Sequence, residues 1–385
     1  MRILHTADWH VGKTIARQSR IDESRKALAE VVAIAKDEKV DVVLVCGDVF
    51  EHLAPSPEAE EVVYEALLRF EEIGAKVLVI PGNHDAPRRW KALMPLLARC
   101  AVTVVPEVRR PKEGGVVELS SRDGQEFVQI AALPWVTERR IVEARHLMDL
   151  AEVPNQKYAD EMGRLIGAMC KHLDPKKCTV FAGHLFVGGS VVSENGGERS
   201  LTVGQTFAVT PQALPNVQYV ALGHVHRPQR VPGAAVPARY SGSLVQLDFG
   251  EAGQSKSVAI VDLAPGRPAE VREVPVRAGR LLMEVGGTLA ELEENADRWG
   301  DAFLKVTAHT DQHVPGLSDD VRRRLPNAVD IYLAYPKQGE ASPVATLRGM
   351  APRDQFARYF TYREGTPPAP ELLDLFDTIL AQASP

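Results

Sequence analysis

ILHTADWH (residues 3–10), VVLVCGDVF (42–50), VLVIPGNHD (77–85), TVFAGHLF (179–186) and YVALGHVH (219–226) share one design. Each runs an apolar strand pattern into a short loop that carries Asp, Asn or His. Short continuous apolar runs of this kind suit strands covered on both faces, as in an α/β sheet. Ligands of open α/β sheets collect outside the carboxyl ends of the strands. Five such strands would bring Asp8, His10, Asp48, Asn83, His84, His184, His224 and His226 to one edge. Carboxylate, imidazole and amide oxygen together suit Mn²⁺, Fe²⁺ or Zn²⁺, whereas thiolate-rich zinc or iron–sulfur sites look different. Eight groups are too many for one ion and fit two ions that share a carboxylate. Six of the eleven histidines fall in these five segments, which sets the joint pattern apart from isolated turn or core residues.

The text between these segments alternates with helical patterns, which predicts stacked βα units over the first 265 or so residues. Residues 20–39 place Ile21, Leu28, Val31, Val32 and Ala35 at helical spacing. A second helix is expected over 55–74, with Ser56 as N-cap, Pro57 at its first position and Gly74 as its stop. From residue 101 the pattern turns to hairpin-like strands, VTVVPEV, GVVELS and EFVQIAALPW. A helix over 156–173 follows, and the strands 237–249 and 256–262 are expected to complete a second sheet. The fold class is therefore α/β, with two facing sheets and helices outside. LAPGRPAE (263–270) is the expected linker. LLMEV, a helix over 289–299, FLKVTA, a helix over 318–324 and VDIYLAY then make a small α+β domain. Two helical patterns, 353–364 and 369–382, end the chain; Leu372, Leu373, Leu375, Phe376, Ile379 and Leu380 make the second strongly amphipathic. The expected divisions are 1–268, 269–338 and 339–385.

At 385 residues, 45% hydrophobic and 25% charged, the composition is that of an ordinary globular protein. No apolar run approaches the ~20 residues needed to span a bilayer, and the N-terminus lacks a signal-peptide layout. The four cysteines show no close pairing, which argues against a disulfide framework and places the chain in the cytoplasm. A net charge of −6 argues against coating nucleic acid through a broad positive field. It leaves a nuclease open, because bound cations invert the local potential of a carboxylate-rich site.

Asp8 and His10 are two residues apart, as are His224 and His226, so each pair can face one side of a strand-end loop. Gly47 and Pro81-Gly82 allow sharp turns before Asp48 and Asn83. One division puts Asp8, His10 and His226 on one ion and Asn83, His184 and His224 on the other, with Asp48 bridging. His84 is the candidate non-ligand catalytic group, to protonate a leaving oxygen or neutralise charge. Glu51 or Asp85 is expected to hold it. His52 is a weaker candidate for substrate phosphate.

In order, DWH, GDVF, GNHD, GHLF and GHVH resemble the calcineurin-like metallophosphoesterases across the core. TADWHVGKT, ALGHVHRPQ and YSGSLVQLDFGE resemble more closely the SbcD subfamily, nuclease subunits of the SbcCD DNA-repair complex. The resemblance implies a four-layer α-β-β-α core and metal roles for Asp8, His10, Asp48, Asn83, His184, His224 and His226, with His84 catalytic. It implies two Mn²⁺ ions, with Mg²⁺ or Fe²⁺ as alternatives. It further implies exonuclease and endonuclease action on DNA ends and hairpins, and a homodimer within a heterotetramer. The partner is an ABC-type ATPase with a long coiled coil, gripped by the tail FARYFTYREGTPPAPELLDLFDTIL, and the small domain caps the core. Position 51 departs from the Asp common in close relatives. The Arg-Gly that follows GDxxD in related protein phosphatases is absent from GDVFEHL, which counts against a phosphomonoester substrate. Arg17, Arg20, Arg88, Arg89 and Arg227 flank the motifs as candidate phosphate contacts. The competing readings are a small-molecule phosphodiesterase, and a DNA-end-binding scaffold with a degenerate site.

Overall fold

A computed structural model of the chain describes residues 1–153, 157–193, 208–312, 314–335, 350–364 and 366–383. These fall into two compact units, 1–308 with 318–332, and 309–317 with 333–385. The first unit opens with β1 (Arg2–Thr6), a ribbon of β2 (Thr14–Ile15) and β3 (Gln18–Ser19), and α1 (Ile21–Asp37). It continues through β4 (Val42–Cys46), α2 (Pro57–Glu72), β5 (Lys76–Ile80), α3 (Pro87–Leu97) and β6 (Val102–Val104). Then come β7 (Val116–Ser120), β8 (Phe127–Leu133), α4 (Glu138–Leu147), α5 (Tyr158–Cys170), β9 (Cys178–His184) and β10 (Tyr219–Gly223). β11 (Gln229–Arg230), β12 (Ala238–Tyr240), β13 (Lys256–Asp262) and β14 (Glu270–Val276) complete the two large sheets.

The first sheet runs β14-β13-β1-β4-β5-β6 and the second β11-β12-β10-β9-β8-β7. Strands β1, β4, β5 and β6 are mutually parallel, as are β8, β9, β10 and β12. Because successive side chains alternate, each sheet buries both faces. Ile3, Val42, Leu44, Leu78 and Ile80 of the first sheet meet Val128, Ile130, Val180, Ala182 and Tyr219 of the second. The opposite face of the first sheet (Leu4, Val43, Val45, Val77, Val79) packs on Leu28 and Val31 of α1 and Val63, Leu67 and Phe70 of α2. Phe181, Val220 and Leu222 pack on Ile141 of α4 and Met162, Leu165, Ile166 and Met169 of α5. The result is the α-β-β-α layering, held by three apolar seams in which each large side chain contributes about 1.5–3 kcal/mol.

Local chemistry sets the helix ends. Ser56 Oγ accepts from the Ala59 amide at 3.3 Å, Pro57 takes the first helical position, and Gly74 (φ 79°) ends α2 in the left-handed region. Three expectations need correction. VTVV does not enter a hairpin: β6 lies parallel to β5 at the edge of the first sheet, with Val77 beside Val102. Strand β13 is not part of the second sheet but pairs antiparallel with β1, Ile3 opposite Val261. LAPGRPAE is the connection of the β13–β14 hairpin rather than a linker, since β13 and β14 pair along their length from Asp262↔Glu270 to Lys256↔Val276.

After Val276 the chain builds β15 (Leu282–Gly287), α6 (Leu289–Glu294), β16 (Phe303–His309), α7 (Leu317–Arg324) and β17 (Ala328–Ala334), with sheet order β15-β16-β17. Within the first unit, Leu282 and Phe303 pack on Ile15, the Leu282 amide donates to Gln246 Oε1 at 2.7 Å, and the Arg280 guanidinium lies 3.6 Å from the Phe303 ring centre. In the second unit, α8 (Pro352–Glu364) and α9 (Pro370–Ala383) pair through a parallel stack of Phe356 on Phe376 at 4.4 Å. Arg353 also bridges to Asp374 and Asp377. The start of the expected tail, 336–349, and His313 lie outside the described residues. Among the described residues no helix is long and apolar enough to cross a membrane.

Candidate metal centre

The loops after β1, β4 and β5 and the ends of β9 and β10 meet where the two sheets face each other. Parallel pairing aligns these ends: Thr6 lies beside Val45, Cys46 beside Ile80, and Gly223 beside His184. Beyond the strands the backbone stays laced. Asp8 N donates to Gly47 O at 2.9 Å, His10 N to Asp48 O at 3.0 Å and Val11 N to Val49 O at 3.0 Å. Asp8 (φ 52°), His10 (φ 45°), Asp48 (φ 50°) and His224 (φ 103°) all sit at positive φ. Such conformations cost on the order of 1–3 kcal/mol each and cluster at functional sites. A Cβ at Gly47 or Gly223 would collide with His184, and one at Gly82 with Asp48, so these glycines let the backbone close around the cluster.

All seven expected ligand residues gather here. Asp8, His10 and His226 offer donor atoms within 4.8 Å of one another, and so do Asp48, His184 and His224. A third overlapping group is His10, Asp48 and His84. Asn83 Oδ1 lies 3.1 Å from His184 Nε2 and 3.0 Å from His224 Nδ1. Asp48 Oδ2 lies 3.4 Å from His184 Nε2 and 3.6 Å from His10 Nε2, between the two groups.

The hydrogen bonds around the cluster test whether a metal suits it. His184 Nδ1 donates to the Cys46 carbonyl at 2.8 Å, because a carbonyl only accepts. A neutral His184 therefore presents a lone pair on Nε2 toward Asn83 Oδ1 and Asp48 Oδ2, so acceptors face acceptors. His10 Nδ1 is held by Glu51 Oε2 at 2.8 Å, and its Nε2 is buried without a hydrogen-bond partner. His226 Nδ1 is held by Glu251 Oε1 at 2.8 Å. Imidazoles whose second nitrogen is fixed by a carboxylate or carbonyl are the usual arrangement of metal-binding histidines. The donor set fits a pair of divalent cations.

Protons partly fill this role in the metal-free chain. Burial depresses His184, but the charges of Asp48 and Asp8 outweigh it and raise its pKa to about 9. Asp48 is pushed up by burial yet held far below the carboxylate range by His184, His10 and His84. Burial raises Asp8, against His184 and His226. His224, buried and beside His184, is lowered to about 3. Metal ligation needs a deprotonated His184, so each ion pair bound must release that proton below its pKa. Between pH 7 and 9 the affinity for Mn²⁺ should therefore rise roughly tenfold per pH unit and level off above. Calorimetry in buffers of different ionisation enthalpy checks this, and an affinity flat across that window would contradict it.

The remaining expected residues fall differently. His84 is half-buried, and its Nδ1 donates to the backbone carbonyl of Glu51 at 2.8 Å. The expected carboxylate support is thus a correction. The Glu51 carboxylate is drawn instead to His10 and to Lys13 Nζ at 2.9 Å, and is lowered to about 2 by these partners against the effect of burial. Asp85 is buried and accepts from the amides of Gly82, Val49 and Phe50, which ties the GNHD turn to the GDVF turn. Burial and the neighbouring Asp48 raise it to about 6. His5, in the first motif, is a satisfied core residue that donates to the Leu222 carbonyl and bonds Tyr219 Oη at 2.9 Å. Of the candidate arginines, Arg20 is buried against Glu23 and so is not presented to a ligand, and Arg89, partly exposed, pairs with Glu60. Arg17, Arg88, Arg227 and His52 are exposed.

Sequence reading did not assign Glu251, which is fully buried, carries Lys256 at 2.6 Å on its other oxygen and is lowered to about 2 despite burial. Glu251→Gln should weaken metal binding and turnover by about 10–100-fold, since His226 loses its orienting carboxylate. Mn²⁺ titration of the purified variant reads this, and wild-type affinity would rule the orienting role out. Trp135 was also unassigned; its ring stacks on His224 at 5.0 Å and 27°.

A family model described as calcineurin-like phosphoesterase matches residues 1–228, more than half of the chain. The chain belongs to the calcineurin-like phosphoesterases. It is 30% identical over 387 residues to the SbcD component of the nuclease SbcCD from Bacillus subtilis, covering 98% of this chain and 97% of that protein. The counterpart in Rhodobacter capsulatus is 30% identical, with 94% of each covered, and that of Escherichia coli K12 is 27% identical, with 84% and 81% covered. Within its family the chain is of the SbcD type.

Proposed function

We propose that the chain is the metal-dependent nuclease subunit of an SbcCD-type assembly, a phosphodiester hydrolase that trims duplex DNA ends and cuts single strands and hairpins. The observation that carries this reading is Asp48 set between two groups of donors. Asp8, His10 and His226 would hold one ion and Asn83, His184 and His224 the other, with Asp48 shared; Mn²⁺ suits this mixture of oxygen and imidazole donors. Such a pair of ions supplies an activated water and neutralises charge on the oxygens of an in-line attack at phosphorus. The chain's own contribution is orientation. Glu51, Glu251 and the Cys46 carbonyl fix His10, His226 and His184. The Glu51 carbonyl commits His84 Nδ1, leaving Nε2 to exchange a proton with the reacting groups. Burial lowers the His84 pKa against the pull of Asp48, which favours the neutral ring.

The ATPase partner is assigned to the α8–α9 pair, whose Tyr359, Leu375 and Ile379 stay about half exposed. The β15–β17 sheet is assigned as the cap, and a homodimer in the cytoplasm as the working form. The test incubates the full chain and its ATPase partner with Mn²⁺ and with hairpin and blunt duplex DNA. Cleavage that Mn²⁺ supports and His84→Ala abolishes is expected. No cleavage, with rapid turnover of a cyclic nucleotide instead, would assign the site to small phosphodiesters. Loss of co-purification on deleting 340–385 checks the partner surface.

A further inference from the structure

A cavity of about 580 Å³ opens beside the metal centre, walled by Pro87, Pro106, Pro134, Trp135 and Val136 and sharing Asn83 and His224 with it. Its volume is in the range of pockets that hold small molecules. The wall is mostly apolar, but Arg139 and Arg140, exposed on the first turn of α4, stand on its lining. The Trp135 ring is half-buried and stacks on His224, and the backbone amide of Trp135 donates to the Pro81 carbonyl at 3.1 Å. An apolar slot with an aromatic wall and a cationic edge, adjoining a phosphodiester site, matches the chemistry of one nucleotide: a base to stack and a phosphate to pair. A paired base in a duplex cannot enter such a slot, whereas a base from a single strand, a frayed end or a hairpin loop can.

We propose that this cavity seats an unstacked nucleobase next to the scissile phosphate, on Trp135, with Arg139 and Arg140 on the adjoining phosphate. The inference rests on the nuclease reading and adds to it why unpaired DNA would be taken. It makes Trp135 a specificity-determining residue rather than a catalytic one. The cavity touches only the Asn83–His224 side of the centre, so the seated base belongs to one side of the cut, and the effect has a position along the strand.

The test uses the full chain with Mn²⁺ and single-stranded oligonucleotides, each carrying one abasic residue at a successive position around a fixed cut. One position should raise KM by about tenfold or more with a smaller effect on kcat, the range expected for a base stacked on an aromatic ring. Trp135→Ala should raise KM similarly on the intact strand, and its penalty should shrink several-fold on that abasic strand. Trp135→Phe should restore most of the loss, and the double variant Arg139→Ala with Arg140→Ala should raise KM again. A second arm binds a phosphorothioate strand with 2-aminopurine at the same position, whose fluorescence should be quenched by the wild type and not by Trp135→Ala. No abasic position effect, or equal Trp135→Ala penalties on both strands, would overturn the proposal while leaving the nuclease reading intact. Quenching without cleavage would uphold the cavity and remove the nuclease reading.

Discussion

Asp48→Asn should lower phosphodiester hydrolysis by about 10³-fold, the scale of removing a principal electrostatic group from a preorganised site. Asn is the informative replacement. It tolerates the positive φ of residue 48, and its Oδ1 can still accept from the His84 amide, which now donates to Asp48 at 2.8 Å. The changed atom is the one between His10 Nε2 and His184 Nε2. An amide N–H there would donate to a histidine lone pair where a cation would otherwise sit. The fold should hold while the shared ligand is lost. Rates on bis(4-nitrophenyl) phosphate with Mn²⁺, alongside a metal-free thermal melt, measure both. A loss under tenfold would remove Asp48 from a bridging position.

His84→Ala should cost about 10²–10⁴ in kcat, the usual yield of a positioned acid–base group. Two observations favour this role over ligation. His84 lies close to His10, rings 4.7 Å apart and nearly perpendicular, yet it is half-exposed and its Nδ1 is tied to a main-chain carbonyl. Mn²⁺ affinity should therefore change only a few-fold. Because His10, Asp48 and His84 also form a close donor group, the opposite result has a clear meaning. If affinity falls as far as the rate, His84 is a ligand and not a proton carrier.

Much of the site could be read before any coordinates, because a strand ending in Asp or His leaves a local signature that survives whatever the strand pairs with. GDVF and GNHD each carry their own turn and their own donor. What could not be read is partnership across the fold. KSVAIVD looks the same whether it joins the first sheet or the second, since a strand buried on both faces has no alternation to betray its neighbours. VTVV is similarly silent about direction. Helix α4 buries Ile141, Ala144 and Arg145 from a largely charged text and so lacks a clean apolar stripe, while Pro95 inside α3 reads in sequence as a helix breaker. The carboxylate assignments failed for a related reason. Glu51, three after Asp48, and Asp85, next to His84, are carboxylates of the motifs themselves and so suggest supports of His84, but the β1 loop brings His10 to Glu51, and Asp85 turns inward to three amides. Glu251, which orients His226 from 25 positions away, left no local pattern at all.

The most direct measurement is anomalous diffraction at the manganese edge from crystals of the full chain grown with Mn²⁺. Two peaks about 3.5–4 Å apart are predicted. One should lie against Asp8, His10 and His226, the other against Asn83, His184 and His224, with Asp48 touching both. A single peak, or none within reach of Asp48, would contradict the paired-ion centre.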